Sequence, residues 1–261
     1  MKNAKIIKLM KRIILVICAA LAAFTMNAQK FSLPGWGSDG IRVLLIGNSF
    51  TFYHDCDSML VQIARSQGVR IYLGEYLKGG QTFGQHLNLP QTSEAIAGGR
   101  YDYAFIQDYS ASAAWYARDK ANYIAENTIL LKRRILQASP SCKIILERTW
   151  TFDGNNAEGF SDADTLEHYL AKGSKKLSRK CGLPLSPIGD AFNIAAAERP
   201  DIDLLGPDRK HQSAAGSYLK CCINWLIISG KPFAGKVAEC GLDPAAAEYL
   251  RGLAERMVLS R

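Results

Sequence analysis

No apolar run in the 261 residues reaches the ~20 that a membrane-spanning helix needs; the longest, residues 13–24, has a dozen. There is no C-x-x-C pair among the seven cysteines, so the spacing of a zinc site or a dithiol redox motif is missing. We find no internal repeat, no low-complexity tract and no Ser/Pro-rich linker after residue 40, which excludes solenoids and beads on a string. Histidine is scarce as well. Only His54, His86, His168 and His211 are present, so a histidine base comes from a short list. With 48% hydrophobic and 21% charged residues, the composition is that of a globular chain, not a disordered or collagen-like one. A basic surface for nucleic acid is also missing. The formal charge is +8, but Lys2, Lys5, Lys8, Lys11 and Arg12 fall in the first 28 residues with no acid, which leaves +3 for the rest.

That basic start precedes the apolar dozen, and small or polar residues follow up to Ala28-Gln29. The pattern is that of a signal peptide at 1–28 with cleavage after Ala28, and it implies a periplasmic or secreted protein. A lipoprotein is disfavoured because Ile17, not a small residue, precedes Cys18; an uncleaved anchor is disfavoured by the shortness of the run. Residues 29–40 are an extension, and 41–261 read as one domain. Export makes disulfides admissible for Cys56, Cys142, Cys181, Cys221, Cys222 and Cys240, with pairing that sequence cannot sort. Neighbours on a helix, Cys221 and Cys222 project to different faces, and structural cysteine is favoured over zinc.

Apolar strand-like runs alternate with helical periodicity. Strands are expected at 42–46, 69–73, 103–106, 143–146 and 185–188, and helices at about 55–67, 121–138, 161–179, 213–228 and 243–258, with Ser161 as a cap. The fold class predicted is α/β: a three-layer α/β/α sandwich around a five-stranded parallel sheet, in the flavodoxin-like order 2-1-3-4-5. Ligands of such sheets bind at the carboxyl ends of the strands.

Four segments fall at those ends. Gly47-Asn48-Ser49 follows strand one, where a turn into a helix can expose the serine hydroxyl and aim backbone N–H groups at an oxyanion; an ordinary helix cap is the plainer reading. Asp208-Arg209-Lys210-His211 precedes the helix near 213, and its acid can hold Nδ1 of the imidazole so that Nε2 is left as a base. Gly79-Gly80 lies past strand two, where glycine lets backbone approach a ligand. Gln107-Asp108 follows strand three and offers a side-chain amide, with Asp108 read as structural.

With these blocks in this order, the chain resembles the SGNH (GDSL-type) hydrolases over roughly residues 40–230, and more narrowly a bacterial branch with a G-N-S-F block. The resemblance implies a serine esterase with Ser49, His211 and Asp208 as catalytic residues, and an oxyanion hole from the N–H groups of Ser49 and Gly80 with the Gln107 amide. Gln107 stands where the family has asparagine, one methylene shorter. An α/β-hydrolase shares the order Ser-Asp-His, but Thr51 replaces the last glycine of its G-x-S-x-G elbow, and Ser49 lies too near the start of the chain.

Asn48, Tyr109, Trp150 and His86 are candidates for touching substrate, Tyr109 and Trp150 as aromatic platforms for a sugar ring, although packing is the plainer reading of both aromatics and a structural role that of His86. His54 and His168 fit no role. Family and compartment imply acyl, first of all acetyl, ester hydrolysis on a small molecule or polysaccharide. Neither metal nor organic cofactor, no nucleic acid, and no membrane span after cleavage is expected. The alternatives are a lipase or thioesterase of the same fold, or a non-catalytic carbohydrate-binding protein. Acyl group, sugar and oligomeric state are not legible.

Overall fold

Five apolar runs lie side by side and in one direction in the computed structural model, which describes residues 40–153 and 158–260. The expected signal peptide and all but the last residue of the expected extension lie outside the described residues. Strands β1 (Ile41–Gly47), β2 (Ile71–Leu77), β3 (Tyr103–Ile106), β4 (Lys143–Glu147) and β5 (Leu185–Ser186) form one sheet in the order β2-β1-β3-β4-β5, and every pairing is parallel. After β1 come α1 (Ser49–Phe52), a 3₁₀ turn (Tyr53–Asp55) and α2 (Cys56–Ser66). Then follow α3 (Phe83–His86), α4 (Pro90–Ala97), α5 (Ser112–Arg118), α6 (Asn122–Ala138), α7 (Ala163–Cys181), α8 (Ile188–Glu198), α9 (Ala214–Ser229) and α10 (Pro244–Leu259).

Helices α2, α8, α9 and α10 pack against one another as one layer, and α3 to α7 as the other. Covered on both faces, a strand has no solvent side to fill with polar residues, so it reads as an unbroken apolar run. Val43, Leu44, Leu45 and Ile46 are all buried accordingly, and Val43, Leu45, Phe105 and Ile145 share a core with Leu219, Ile223 and Leu226 of α9. Each such side chain stabilises the fold by about 1.5–3 kcal/mol.

Several boundaries differ from the sequence pattern. Strand β2 begins two residues later and runs to Leu77, because it pairs with β1 residue for residue along its whole length. Gly74 in its middle leaves room for Tyr101, whose hydroxyl a Cβ there would strike. Strand β5 has two residues, since Pro187 carries no N–H for the ladder and Ile188 already starts α8. The cap of α7 is Asp162, which accepts from Thr165 N at 2.6 Å, while Ser161 donates to Asp162. Periodicity does not separate α3, α4, α5 and α8, three of them too short to repeat an apolar face more than once. The six cysteines of the described region are free thiols, with Cys56 and Cys221 Sγ 3.1 Å apart.

Candidate active site

Gly47 ends β1 and Ser49 opens α1, so the serine sits where strand turns into helix. The turn is tied down by Asn48 between them. Its Oδ1 accepts from Phe50 N (3.2 Å) as a helix cap, and its Nδ2 donates to Gln81 O (3.0 Å) and Asp108 O (3.3 Å). One side chain thereby joins the ends of β1, β2 and β3. Below the turn, Gln107 Oε1 accepts from Asn48 N (3.3 Å) and Thr51 Oγ1 (3.0 Å). Lys220 Nζ, reaching across from α9, donates to Phe50 O (2.9 Å) and Thr51 Oγ1 (3.0 Å) and pairs with Glu147 at 2.7 Å; Asn224 donates to the same carboxylate.

The loop before α9 brings up the imidazole. Asp208 Oδ1 accepts the backbone N–H of Lys210 (3.1 Å) and His211 (3.0 Å), which leaves Oδ2 to accept from His211 Nδ1 at 2.5 Å. Burial raises the Asp208 carboxyl, but those hydrogen bonds, His211's first, outweigh it and bring the group down to about 2. Ionised, Asp208 fixes the proton of neutral His211 on Nδ1, so Nε2 accepts from Ser49 Oγ at 2.8 Å. Gly206 N donates to His211 O (2.7 Å), Arg209 at φ +53° reaches Asp153 and Asp203, and Gln212 Nε2 donates to Ser49 O (3.3 Å). The loop is thus held at both ends and tied to the serine turn.

Ser49 and His211 open into a cleft of about 390 Å³ whose walls include Phe52, Tyr53, Gly80 and Tyr109. Among the described residues the backbone N–H groups of Ser49 and Gly80 have no acceptor. Gly80 holds φ +71°, a conformation that a side chain would strain. Tyr109 is at the wall, with its hydroxyl donating to Glu158 (2.8 Å), which Lys210 also meets.

One expectation is corrected, that for Gln107, and for two further candidates, Trp150 and His86, the structure takes the plainer structural reading over contact with substrate. Gln107 does not line the cleft: it is 1% exposed, its carbonyl supports the serine turn and its amide turns to Asp108 O. Trp150 is no platform but a buried support, stacked on Phe50 (4.3 Å) and Phe192 (4.5 Å), with Nε1 donating to Lys210 O. His86 is fully buried, bonded to Thr92 Oγ1 and Gly47 O at 3.0 Å each, and burial lowers its affinity for a proton. Sequence reading misses Lys220, Glu147, Thr51 and Tyr53. For the first two a signal existed, a charge inside an otherwise apolar helix and at the end of an apolar strand.

Cavity size alone does not locate the site. Hollows of about 470 Å³, at the opposite ends of the strands around Cys142 and Pro184, and about 710 Å³, beside Leu89 and Arg134, are larger. The thiol in the first of them, Cys142, is pushed by burial up to about 12, where it stays protonated and inert. Among the described residues no His, Cys, Asp or Glu cluster could hold a metal ion, and no helix is long and apolar enough to cross a membrane.

No family model and no curated protein matches the chain. Its structure is similar to that of a DUF4886 family protein from Bacteroides uniformis, at 19% identity over 85% of this chain and 95% of that one, with a TM-score of 0.69. A protein from Slackia heliotrinireducens provisionally classed as an SGNH hydrolase is similar at 21% identity over 73% and 100% of the two chains, TM-score 0.60. An acetyl xylan esterase variant from Geobacillus stearothermophilus is similar at 17% over 76% and 98%, TM-score 0.53. At such identities the likeness is one of fold, and the fold is that of the SGNH hydrolases.

Proposed function

We propose that the protein is an exported serine esterase that removes acyl groups, acetyl first, from carbohydrate. The observation that carries this reading is the unbroken line from Ser49 Oγ through His211 to Asp208, with contacts of 2.8 and 2.5 Å. A hydroxyl, an imidazole and an ionised carboxylate in that sequence are what acyl transfer through a serine requires.

In this reading Ser49 Oγ attacks the ester carbonyl as its proton passes to His211 Nε2, and Asp208 stabilises the imidazolium. The N–H groups of Ser49 and Gly80 meet the developing oxyanion; one such donor is typically worth ~10²–10³ in kcat. His211 then gives its proton to the leaving alcohol, and the C–O bond to that alcohol breaks. Water, deprotonated by the same Nε2, releases the acid from the acyl-enzyme and returns Ser49. The cycle as written needs neither metal nor organic cofactor.

The substrate class rests on the rim and on the comparisons. Phe52, Tyr53 and Tyr109 offer aromatic faces at the cleft mouth, a surface suited to a sugar ring. The acetyl xylan esterase among the similar structures supports an acetylated carbohydrate. Export is supported by the basic start, the apolar dozen and Ala28-Gln29.

Hydrolysis of p-nitrophenyl acetate by wild type and Ser49→Ala tests the reading. A loss of roughly 10³-fold or more is expected, and equal rates reject it. Acetyl esters are expected to outpace octanoyl esters; the reverse order moves the assignment to a lipase or thioesterase.

A further inference from the structure

The imidazole of His211 has two aromatic neighbours. Tyr53 lies flat against it, ring centres 4.1 Å apart and planes within 5° of parallel. Phe50 meets it edge-on at 5.6 Å and 74°, and Phe50 is itself stacked on the buried Trp150. Phe50 therefore belongs to the core, whereas Tyr53 is 37% exposed at the mouth of the cleft. Hydrophobic burial alone gives such a ring little reason to stay where it is.

The backbone supplies one. Tyr53 O accepts from Ser217 Oγ of α9 at 3.0 Å, which ties the turn to the helix that follows His211. The next two residues, His54 and Asp55, both hold left-handed backbone at φ 54° and 51°. Residues with a side chain seldom adopt that region, and two in succession persist only where the surroundings fix them. The turn between α1 and α2 is held against its own preference, and its result is a ring face on the imidazole.

We propose that Tyr53 is the positioning residue of His211. The proposal rests on the serine-esterase reading. Two of the four contacts holding the imidazole are hydrogen bonds, and the one to Ser49 is lost as soon as the serine is acylated. From then until water attacks, Nδ1 is anchored to Asp208, and rotation about that anchor is opposed by the stacked ring. The same face favours the cationic imidazole that forms each time Nε2 takes a proton, since an aromatic ring attracts a cation set over it. The phenol hydroxyl has no part in either effect, so phenylalanine can replace tyrosine and an aliphatic residue cannot.

The test is steady-state kinetics on p-nitrophenyl acetate with Tyr53→Leu and Tyr53→Phe, beside wild type and Ser49→Ala. Tyr53→Leu is expected to lower kcat roughly 3- to 30-fold with KM within about twofold, and Tyr53→Phe to recover most of the loss. A Leu variant with wild-type kcat overturns the proposal, as does a Phe variant that falls as far as Leu. The second measurement needs no Tyr53 variant. In wild type the proton NMR signal of His211 Cε1–H, assigned by its absence in His211→Gln, is expected upfield of a free imidazole through the ring current of Tyr53. A signal at the unstacked position also overturns it. Activity lost in Ser49→Ala but unchanged in Tyr53→Leu rejects Tyr53 and leaves the esterase reading standing; a wild type without activity removes both.

Discussion

Asp108 shows how a side chain beside the chemistry serves it without taking part. Its Oδ1 accepts the N–H groups of Phe83 (2.7 Å) and Tyr109 (2.8 Å), and so sets both the loop after β2 and the wall of the cleft. Burial pushes the carboxyl up to about 6, against those two hydrogen bonds and one from Ser112. A carboxyl whose folded pKa lies above its unfolded ~3.9 binds more protons when folded, so its ionisation weakens the fold as pH rises from about 4 through 6. Asp108→Asn keeps an acceptor for both N–H groups and cannot ionise. Relative to wild type, the variant is expected to gain stability between pH 4 and 7, read as the difference in urea midpoints. Asp208, held near 2, gives up its contribution only below about pH 4, outside that window. A midpoint difference that is flat, or that slopes the other way, contradicts the role given to Asp108.

Between elements, the serine turn stands on a buried ion pair. Glu147 ends β4 and Lys220 interrupts the apolar α9, each with about 2% of its side chain exposed. Lys220→Met leaves the carboxylate buried without a cation and is expected to cost about 3–5 kcal/mol in urea unfolding. Lys220→Met with Glu147→Leu is expected to recover much of that stability, since an apolar pair of similar volume is often neutral. The double variant is still expected to be a poor esterase, because Phe50 O and Thr51 Oγ1 lose their donor. A double variant no more stable than Lys220→Met shows that the pair is not what supports the turn.

This level is also where sequence stops being sufficient. Strands are legible because a sheet covered on both faces leaves apolar runs, and the Asp208–His211 pair because both groups lie on one turn. Gly47-Asn48-Ser49 is legible because strand, glycine and helix start are local. The direction of Gln107 is not, since it depends on where Thr51 and Asn48 put their polar atoms. Trp150 reads first as packing and second as a wall, and only Phe50 and Phe192, closing on either side, decide for the core. Tyr53 gives no sign at all, because its partner is set by two left-handed residues in a sequence, His-Asp, that does not announce a turn.

At the scale of the whole molecule, a parallel sheet delivers the loops after β1, β2 and β3 to one edge. Strand order turns back between β2 and β3, on either side of β1, and opens the crevice where Ser49 sits. His211 arrives there from 162 positions further along the chain. The most direct measurement of the central claim is covalent: diethyl p-nitrophenyl phosphate transfers its phosphoryl group to a serine oxygen that a neighbouring base activates, and stops there. One equivalent of p-nitrophenol per protein, with the diethylphosphoryl group on the peptide containing Ser49 and none on His211→Gln, is the expected result. Modification at another residue, or Ser49 equally modified without His211, contradicts the account.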